Sequence, residues 1–383
     1  MNRQRFPGLA DGWARLDGAA GTQPVDSVIE AIDVWLRSGR VANDGGRFAA
    51  AGACDALVAD ARRGIGELFA ADPEGVVFGP SMTALTFAFS RAVARTLGPG
   101  DEIVCTRLDH DANVAPWLAA ARDSGATVRF AEPDPDTLEL PIGALEKVLG
   151  PRTRWVAVTA ASNAVGTMPD VAAIAALTHE HGAQLFVDAV HATPHRRLDV
   201  AALDCDALAC SAYKWFGPHL SVLWARPQLL AELTPERLRP ASDAVPERWE
   251  QGTSSFETLA GVVAAADYLR TLDWARVRAH EQALFAQLLD GLAAIDGVTL
   301  FGHAGDRAPT AMFTVDGRTS AQVAEQLAAE RIAVWHGTYY AWELFRLLGL
   351  ERDGAVRASI VHYNDASDVE RLVNAIAAVS DGH

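Results

Sequence analysis

The chain has 383 residues, of which 50% are hydrophobic and 21% charged, and it carries a net charge of −16. That composition makes a globular protein with ample core rather than a disordered one. The acidic balance disfavours nucleic acid and anionic membranes as partners, and no apolar run is long enough to span a bilayer.

In chain order, residues 1–15 read as a short arm without the apolar core of a signal peptide. Leu16–Pro24 is a Gly-rich turn, and helices are predicted over Val25–Leu36 and Ala53–Ala70. The short strand Val76–Phe78 runs into Gly79-Pro-Ser-Met-Thr83, directly followed by a helix. A small-residue turn bearing hydroxyls at a helix N-terminus is a plausible phosphate cradle. Strands follow at Asp101–Thr106, Ala126–Phe130 and Arg154–Thr159, with Asp109–Asn113 leading into a helix from Val114. A helix over Val171–His181 precedes strands beginning at Leu185 and Ala207, and Leu220–Trp224 adds another. Alternating strands and helices predict an α/β protein with a mostly parallel sheet.

Leu229–Gly252, rich in Pro, Glu and Arg, reads as a surface excursion. Helices over Phe256–Asp273 and Trp274–Ile295 lead to a second, α+β region. It has strands Val298–Phe301, Thr310–Val315, Ile332–Val334 and Val356–Ile360, and helices Ser320–Ala329 and Ala366–Val379. The expected organisation is a large domain over 16–270, and a small one over 271–383 that takes in the arm 1–15. The four cysteines, Cys54, Cys105, Cys205 and Cys210, form no CxxC pair and read as small buried thiols of a cytoplasmic protein.

The chemistry concentrates in Leu185–His195 and Ala207–Pro218. Each stretch begins apolar and ends polar, as a buried parallel strand does when its carboxyl end opens onto a site. The first delivers Asp188 and His191; the second delivers Ser211, Tyr213 and Lys214. The chain contains only two lysines, Lys147 and Lys214, against 33 cationic residues in all. Lys147 falls on an amphipathic helical pattern. A lone amine kept at a strand end, where arginine would not serve, points to imine chemistry, because a desolvated lysine can lose its proton and arginine cannot.

Several stretches resemble the cysteine desulfurase branch of the class V aminotransferases, pyridoxal-phosphate (PLP) enzymes of fold type I. Leu16-Asp-Gly-Ala-Ala-Gly-Thr-Gln23 resembles that family's LDNAATTQ, Leu108–Trp117 its EHHANxxPW, and Ser162–Thr167 its SNxxGT. Asp188–His191 is similar to DxAQ, Ser211–Lys214 to SGHK, Arg248–Thr253 to RxExGT, and Val356–Ser359 with His362–Asn364 to RAS…YN. The resemblance implies a large domain with a seven-stranded, mostly parallel sheet that binds PLP. Lys214 would hold the cofactor as an imine and then act as base at the substrate α-carbon. Asp188 would pair with the pyridine nitrogen, and His110 would stack on the ring. Asn163 and His191 would bond the ring hydroxyl. Met82 through its backbone, Thr83 and Ser211 would bind the phosphate, and Tyr213 would hydrogen-bond the cofactor in place of the family's histidine. Gly252 and Thr253 would reach it from the other subunit of a homodimer. Arg357 would clamp the carboxylate of an amino-acid substrate.

Three departures from the family pattern matter. His191 stands where desulfurases have glutamine, and Tyr213 where they have histidine. In Trp335–Trp342, the counterpart of RTGHHCA, Tyr340 replaces the nucleophilic cysteine, and no cysteine follows Cys210. Trp335, Tyr339, Tyr340 and Trp342 make that loop aromatic, as an enclosed pocket or a bulky substrate side chain would require. The expected activity is therefore a desulfurase-like C–S lyase working by β-elimination without a persulfide cysteine. Transamination and epimerisation stay open, with Tyr340, His336 and His191 as candidates for the second acid or base. A metal-dependent hydrolase or lyase built on Asp188, His191 and His195 is the alternative of another class. It is disfavoured because Pro194 separates the two histidines and because His179 and His181 fall on different sides of a helix.

Overall fold

The computed structural model describes residues 2–381 apart from 304 and 306. Seven strands form the principal sheet, in the order Val76–Gly79, Ser221–Ala225, Ala207–Ser211, Gln184–Asp188, Thr153–Thr159, Glu102–Thr106 and Thr127–Ala131. Only Ser221–Ala225 runs antiparallel to its neighbours, Ala207–Ser211 and Val76–Gly79. Apart from the half-buried Gln184, the central strands are buried along their length, which is why they read as continuous apolar runs rather than alternating ones.

Alternate residues of each strand serve opposite faces. Leu185 and Val187 join one core with Val156, Val158 and Leu208. Phe186 joins the other with Trp155, Ala157 and Ala207. On the second face Trp117 and Trp155 stack at 5.6 Å, and Phe89 meets Trp155 edge-on at 5.4 Å. Each such side chain contributes about 1.5–3 kcal/mol by leaving water. The helices Asp26–Arg37 and Ala49–Phe69 pack on Phe256–Arg270, so the chain's early helices cover the first face.

The helix Trp274–Ala293 leads to a four-stranded antiparallel sheet in the order Trp335–Gly337, Ala355–Ser359, Thr310–Val315 and Val298–Phe301. Helices Ser320–Ala329 and Ala366–Asp381 share its core. The N-terminal arm is held on both sides. Ala14–Arg15 pairs in parallel with Ile332–Ala333, and Phe6 packs on Phe216, Tyr268, His362 and Tyr363.

The fold is the expected α/β type with a mostly parallel seven-stranded sheet, and two local readings change. The aromatic loop after Ile332 is mostly regular structure. Trp335–Gly337 is a strand registered against Ala355–Arg357, and Trp342–Leu348 is a helix. Only 338–341 remain a turn, with Tyr339 and Tyr340 at φ 43° and 59°. The Leu229–Gly252 excursion is anchored by Trp249, 4% exposed, whose indole N–H donates to the Leu230 carbonyl at 3.0 Å.

Candidate active site

The carboxyl ends of Thr153–Thr159, Gln184–Asp188 and Ala207–Ser211 open onto one cavity of about 460 Å³. Its walls include Met82, Thr83, His110, Asn163, Asp188, His191, Ser211, Tyr213 and Lys214. Nine residues singled out from the sequence, drawn from five segments, thus meet in one place. Asp188 reaches it because the strand ends there, and the following Val190 N–H donates to its Oδ1 at 2.9 Å. Lys214 reaches it because Ala212–Lys214 forms a single tight turn directly after its strand.

Met82 and Thr83 open the helix Met82–Ala94, whose Ser81 hydroxyl caps the Ala84 N–H at 3.1 Å. Ser211 and Ser221 hydroxyls lie 2.9 Å apart on adjacent strands. This end of the cavity offers free helix N–H groups and hydroxyls, an anion site by construction. Ser81 also lines it; its position before the helix was legible, but its place in the wall was not.

Electrostatics divide the other end by role. Burial lowers the Lys214 amine from 10.5 to about 8; nearby Arg357 adds to the fall and Asp188 opposes it. Burial raises the Asp188 carboxyl from 3.8 to about 6, against the Val190 N–H and the Lys214 cation. Near neutrality the pair is therefore mainly ammonium and carboxylate, with the amine within easy reach of its free-base form. Burial first, then the Lys214 and Arg357 cations, lower His110 to about 3. The ring is neutral, and because its Nδ1 accepts the Ala112 N–H at 2.9 Å, its proton sits on Nε2. Asp109 secures this turn from beneath, bonded to the Thr106 hydroxyl and to Asn113 Nδ2.

Four of the sequence-selected residues lie elsewhere. Asn163 lines the cavity, but its Nδ2 donates to the Tyr339 carbonyl at 2.9 Å, leaving only Oδ1, buried and without a partner, to serve a ligand. Arg357 is not in the wall. It lies behind Asn163, 2% exposed, donating from Nη1 to the Asn163 carbonyl at 2.7 Å, while its Nε has no partner. The expected carboxylate clamp is thus part-engaged and backed by the Tyr339 ring, 4.6 Å from the guanidinium carbon. Tyr340 is 70% exposed at the mouth, its ring 5.5 Å from His110 and its carbonyl accepting the Asp111 N–H at 2.7 Å. Gly252 and Thr253 line a different cavity, with Phe78, His219 and Glu250. Tyr339 went unassigned in the sequence, because nothing local says which aromatic of the loop turns inward.

His179 meets Asp204 and Asp206 near the sheet's opposite end, His181 bonds its own helix at Leu177, and His195 pairs with Glu281. His179, His181 and His195 are thus each committed to separate protein partners, and the described residues hold no cluster of three or more His, Cys, Asp or Glu fit for a metal ion. An anion-binding helix end, an amine and a carboxylate in one enclosure, with an orphan Asn163 oxygen, is instead the donor set that PLP needs.

Comparison with known proteins agrees. The chain matches the family described as aminotransferase class-V over residues 14–372. It is 35% identical over 391 residues to a probable cysteine desulfurase of Pseudomonas aeruginosa, covering 98% of this chain and 96% of that one. It is 31% identical to an aminotransferase-like protein of Gibberella zeae, covering 98% and 97%. Among solved structures, the cysteine desulfurase CsdA of Escherichia coli superposes with a TM-score of 0.90 at 28% identity, covering 99% and 97% of the two chains. The cysteine desulfurase of Thermococcus onnurineus does so at 0.93 and 25%, covering 100% and 98%. With this fold and this cavity, the chain belongs to the class V aminotransferase family and is a PLP-dependent, cysteine desulfurase-like enzyme.

Proposed function

We propose that the protein is a C–S lyase. It would cleave the Cβ–S bond of an α-amino acid and release the sulfur directly, without loading it on a cysteine of its own. The observation that carries this reading is the state of the thiols. All four cysteines are buried. Burial pushes Cys205 and Cys210 up to about 12 and Cys105 well above its ordinary value. A persulfide needs an accessible thiolate above the cofactor; at that place this chain presents the exposed Tyr340.

Bound PLP would act as the sink for the electron pair left at the α-carbon. Its phosphate would lie at the N-terminus of Met82–Ala94, against Thr83 and Ser211, with Tyr213 beside them. Its pyridine nitrogen would face Asp188, and its ring would lie against the neutral His110. Lys214 Nζ would hold the cofactor and then take the α-proton, which its lowered basicity and burial favour. As Cβ–S breaks, the bonding pair leaves on sulfur, and the Tyr340 phenol at the cavity mouth supplies the proton. Arg357 would receive the substrate carboxylate on its free Nε edge, with Tyr339 covering one face.

We further propose a homodimer. Val34, Leu36, Val41 and Phe48 are exposed within one short stretch of chain, Phe48 to 61%. Gly252 and Thr253 do not line the cavity that holds Lys214, and would reach that of a second copy.

The test is turnover of cysteine and S-substituted cysteines by the PLP-loaded protein before and after alkylation with iodoacetamide. Release of sulfide or thiol with keto acid and ammonia, at a rate unchanged by alkylation, supports the proposal. A protein-bound persulfide, an inverted amino acid, or amino-group transfer without loss of sulfur overturns it. Borohydride reduction followed by peptide mapping should place the cofactor label on Lys214, and light scattering should give twice the chain mass.

A further inference from the structure

Behind His191 runs a buried polar chain with no part in the scheme above. His191 Nε2 lies 2.9 Å from the Thr310 hydroxyl. The His191 ring meets the His195 ring edge-on at 5.2 Å. His195 Nδ1 donates to Glu281 Oε2 at 2.9 Å. None of the four residues is more than 6% exposed. Burying a carboxylate beside imidazoles is costly, and apolar residues would pack the same space at lower cost. The set also leaves His195 Nε2 and Glu281 Oε1 without partners. It is therefore not a simple packing solution.

We infer that Thr310, His195 and Glu281 are positioning residues for His191, fixing the orientation of its imidazole in the cavity wall. The inference rests on the reading that this cavity holds PLP. Glu281 accepts from His195 Nδ1, and so sets that tautomer and holds the ring edge against His191. A carboxylate orienting an imidazole is a common means of fixing its donor and acceptor sides. Thr310 fixes the far side. Its strand pairs with Ala355–Ser359, with Thr310 opposite Ser359 and Met312 opposite Arg357. One strand pair thus holds both the His191 anchor and the arginine expected to meet substrate.

The groups facing this chain come from several elements. His195 from its own turn, Lys214 and Arg357 all disfavour a second proton on His191, as does burial, the largest cause. Glu281 is faced by His195 and His280 and by the His362 backbone, and the His362 ring is bonded to the Tyr268 hydroxyl at 2.6 Å. His191 is accordingly held neutral, and its ring orientation is set by its neighbours.

The test is the visible absorption spectrum of the PLP-loaded full chain as a function of pH, for wild type, Thr310→Val, Thr310→Ser and Glu281→Gln, with thermal melting alongside. Thr310→Val and Glu281→Gln should move the midpoint of the pH-dependent band by about half a pH unit or more. Thr310→Ser, which keeps the hydroxyl, should restore the wild-type midpoint. A purely structural role would lower the melting temperature and leave the midpoint in place. That result, with full cofactor occupancy, overturns the inference. Should Glu281→Gln fail to fold, Thr310→Val decides alone, because it preserves shape. Wild type that takes up PLP with no visible band would overturn the cavity reading itself, and this inference with it.

Discussion

Lys214→Met in the cofactor-free protein tests the electrostatic reading of the cavity without relying on turnover. The folded state lowers this amine from 10.5 to about 8, chiefly by burial. A fall of about 2.5 pH units at about 1.4 kcal/mol each is about 3 kcal/mol by which folding disfavours the ammonium. Methionine keeps the stem and removes the charge. Part of the gain is returned because Asp188 loses a neighbouring cation, so the expected net stabilisation at pH 7 is about 2 kcal/mol. The sign of the pH dependence follows. Between about 8 and 10.5 the unfolded wild type binds more protons than the folded one, so its stability rises with pH and the advantage of the variant shrinks. Urea denaturation of both proteins at pH 7 and above pH 10 measures this. A variant less stable than wild type at pH 7, or an advantage that does not change with pH, would refute the reasoning.

Other predictions follow from named contacts. Gly166 sits at φ 75°, and a Cβ there would meet the Ala308 carbonyl oxygen at 2.1 Å, so Gly166→Ala should cost about 3 kcal/mol or more and lower the melting temperature of the cofactor-free protein. Arg357→Leu should lower kcat/KM for an α-amino acid about 100- to 1,000-fold, mostly through KM, and Arg357→Lys should recover only part of it, because an ammonium cannot reproduce the planar fork. A Cβ on Gly21 would lie 3.5 Å from the Tyr213 ring. Gly21→Thr, the family's residue, should therefore push that ring and weaken PLP affinity about tenfold by equilibrium dialysis, and Gly21→Ala should be tolerated.

The cavity wall was the most legible part of the chain. Asp188 ends one strand and Lys214 closes the turn directly after the next, and the carboxyl ends of neighbouring parallel strands lie side by side. The anion cradle at Met82 and Thr83 was legible because a strand, a small-residue turn and a helix are local features. The turn 338–341 was not. Its neighbours Trp335–Gly337 became a strand only because Ala355–Arg357 was there to pair with. The inward turn of Tyr339 depends on Arg357 and Asn163, both distant in sequence, as well as on the nearer Phe345. The same holds for Gly252 and Thr253, which lie away from the cavity of their own chain.

By itself the sequence determined the chemistry available: one amine after one strand, one carboxylate at the end of the strand before it, a histidine at the position the family pattern stacks on a ring, and no cysteine after Cys210. Apolar periodicity, strand ends and helix starts depend on neighbours within a few residues, so they survive in one dimension. Tertiary structure alone decided that Arg357 stands behind Asn163 rather than in the wall, that Tyr340 is exposed at the mouth, and that His191 is backed by Thr310, His195 and Glu281. Those placements depend on two sheets meeting. A side chain's protonation, tautomer and free edge are set by what is packed against it, however far away along the chain.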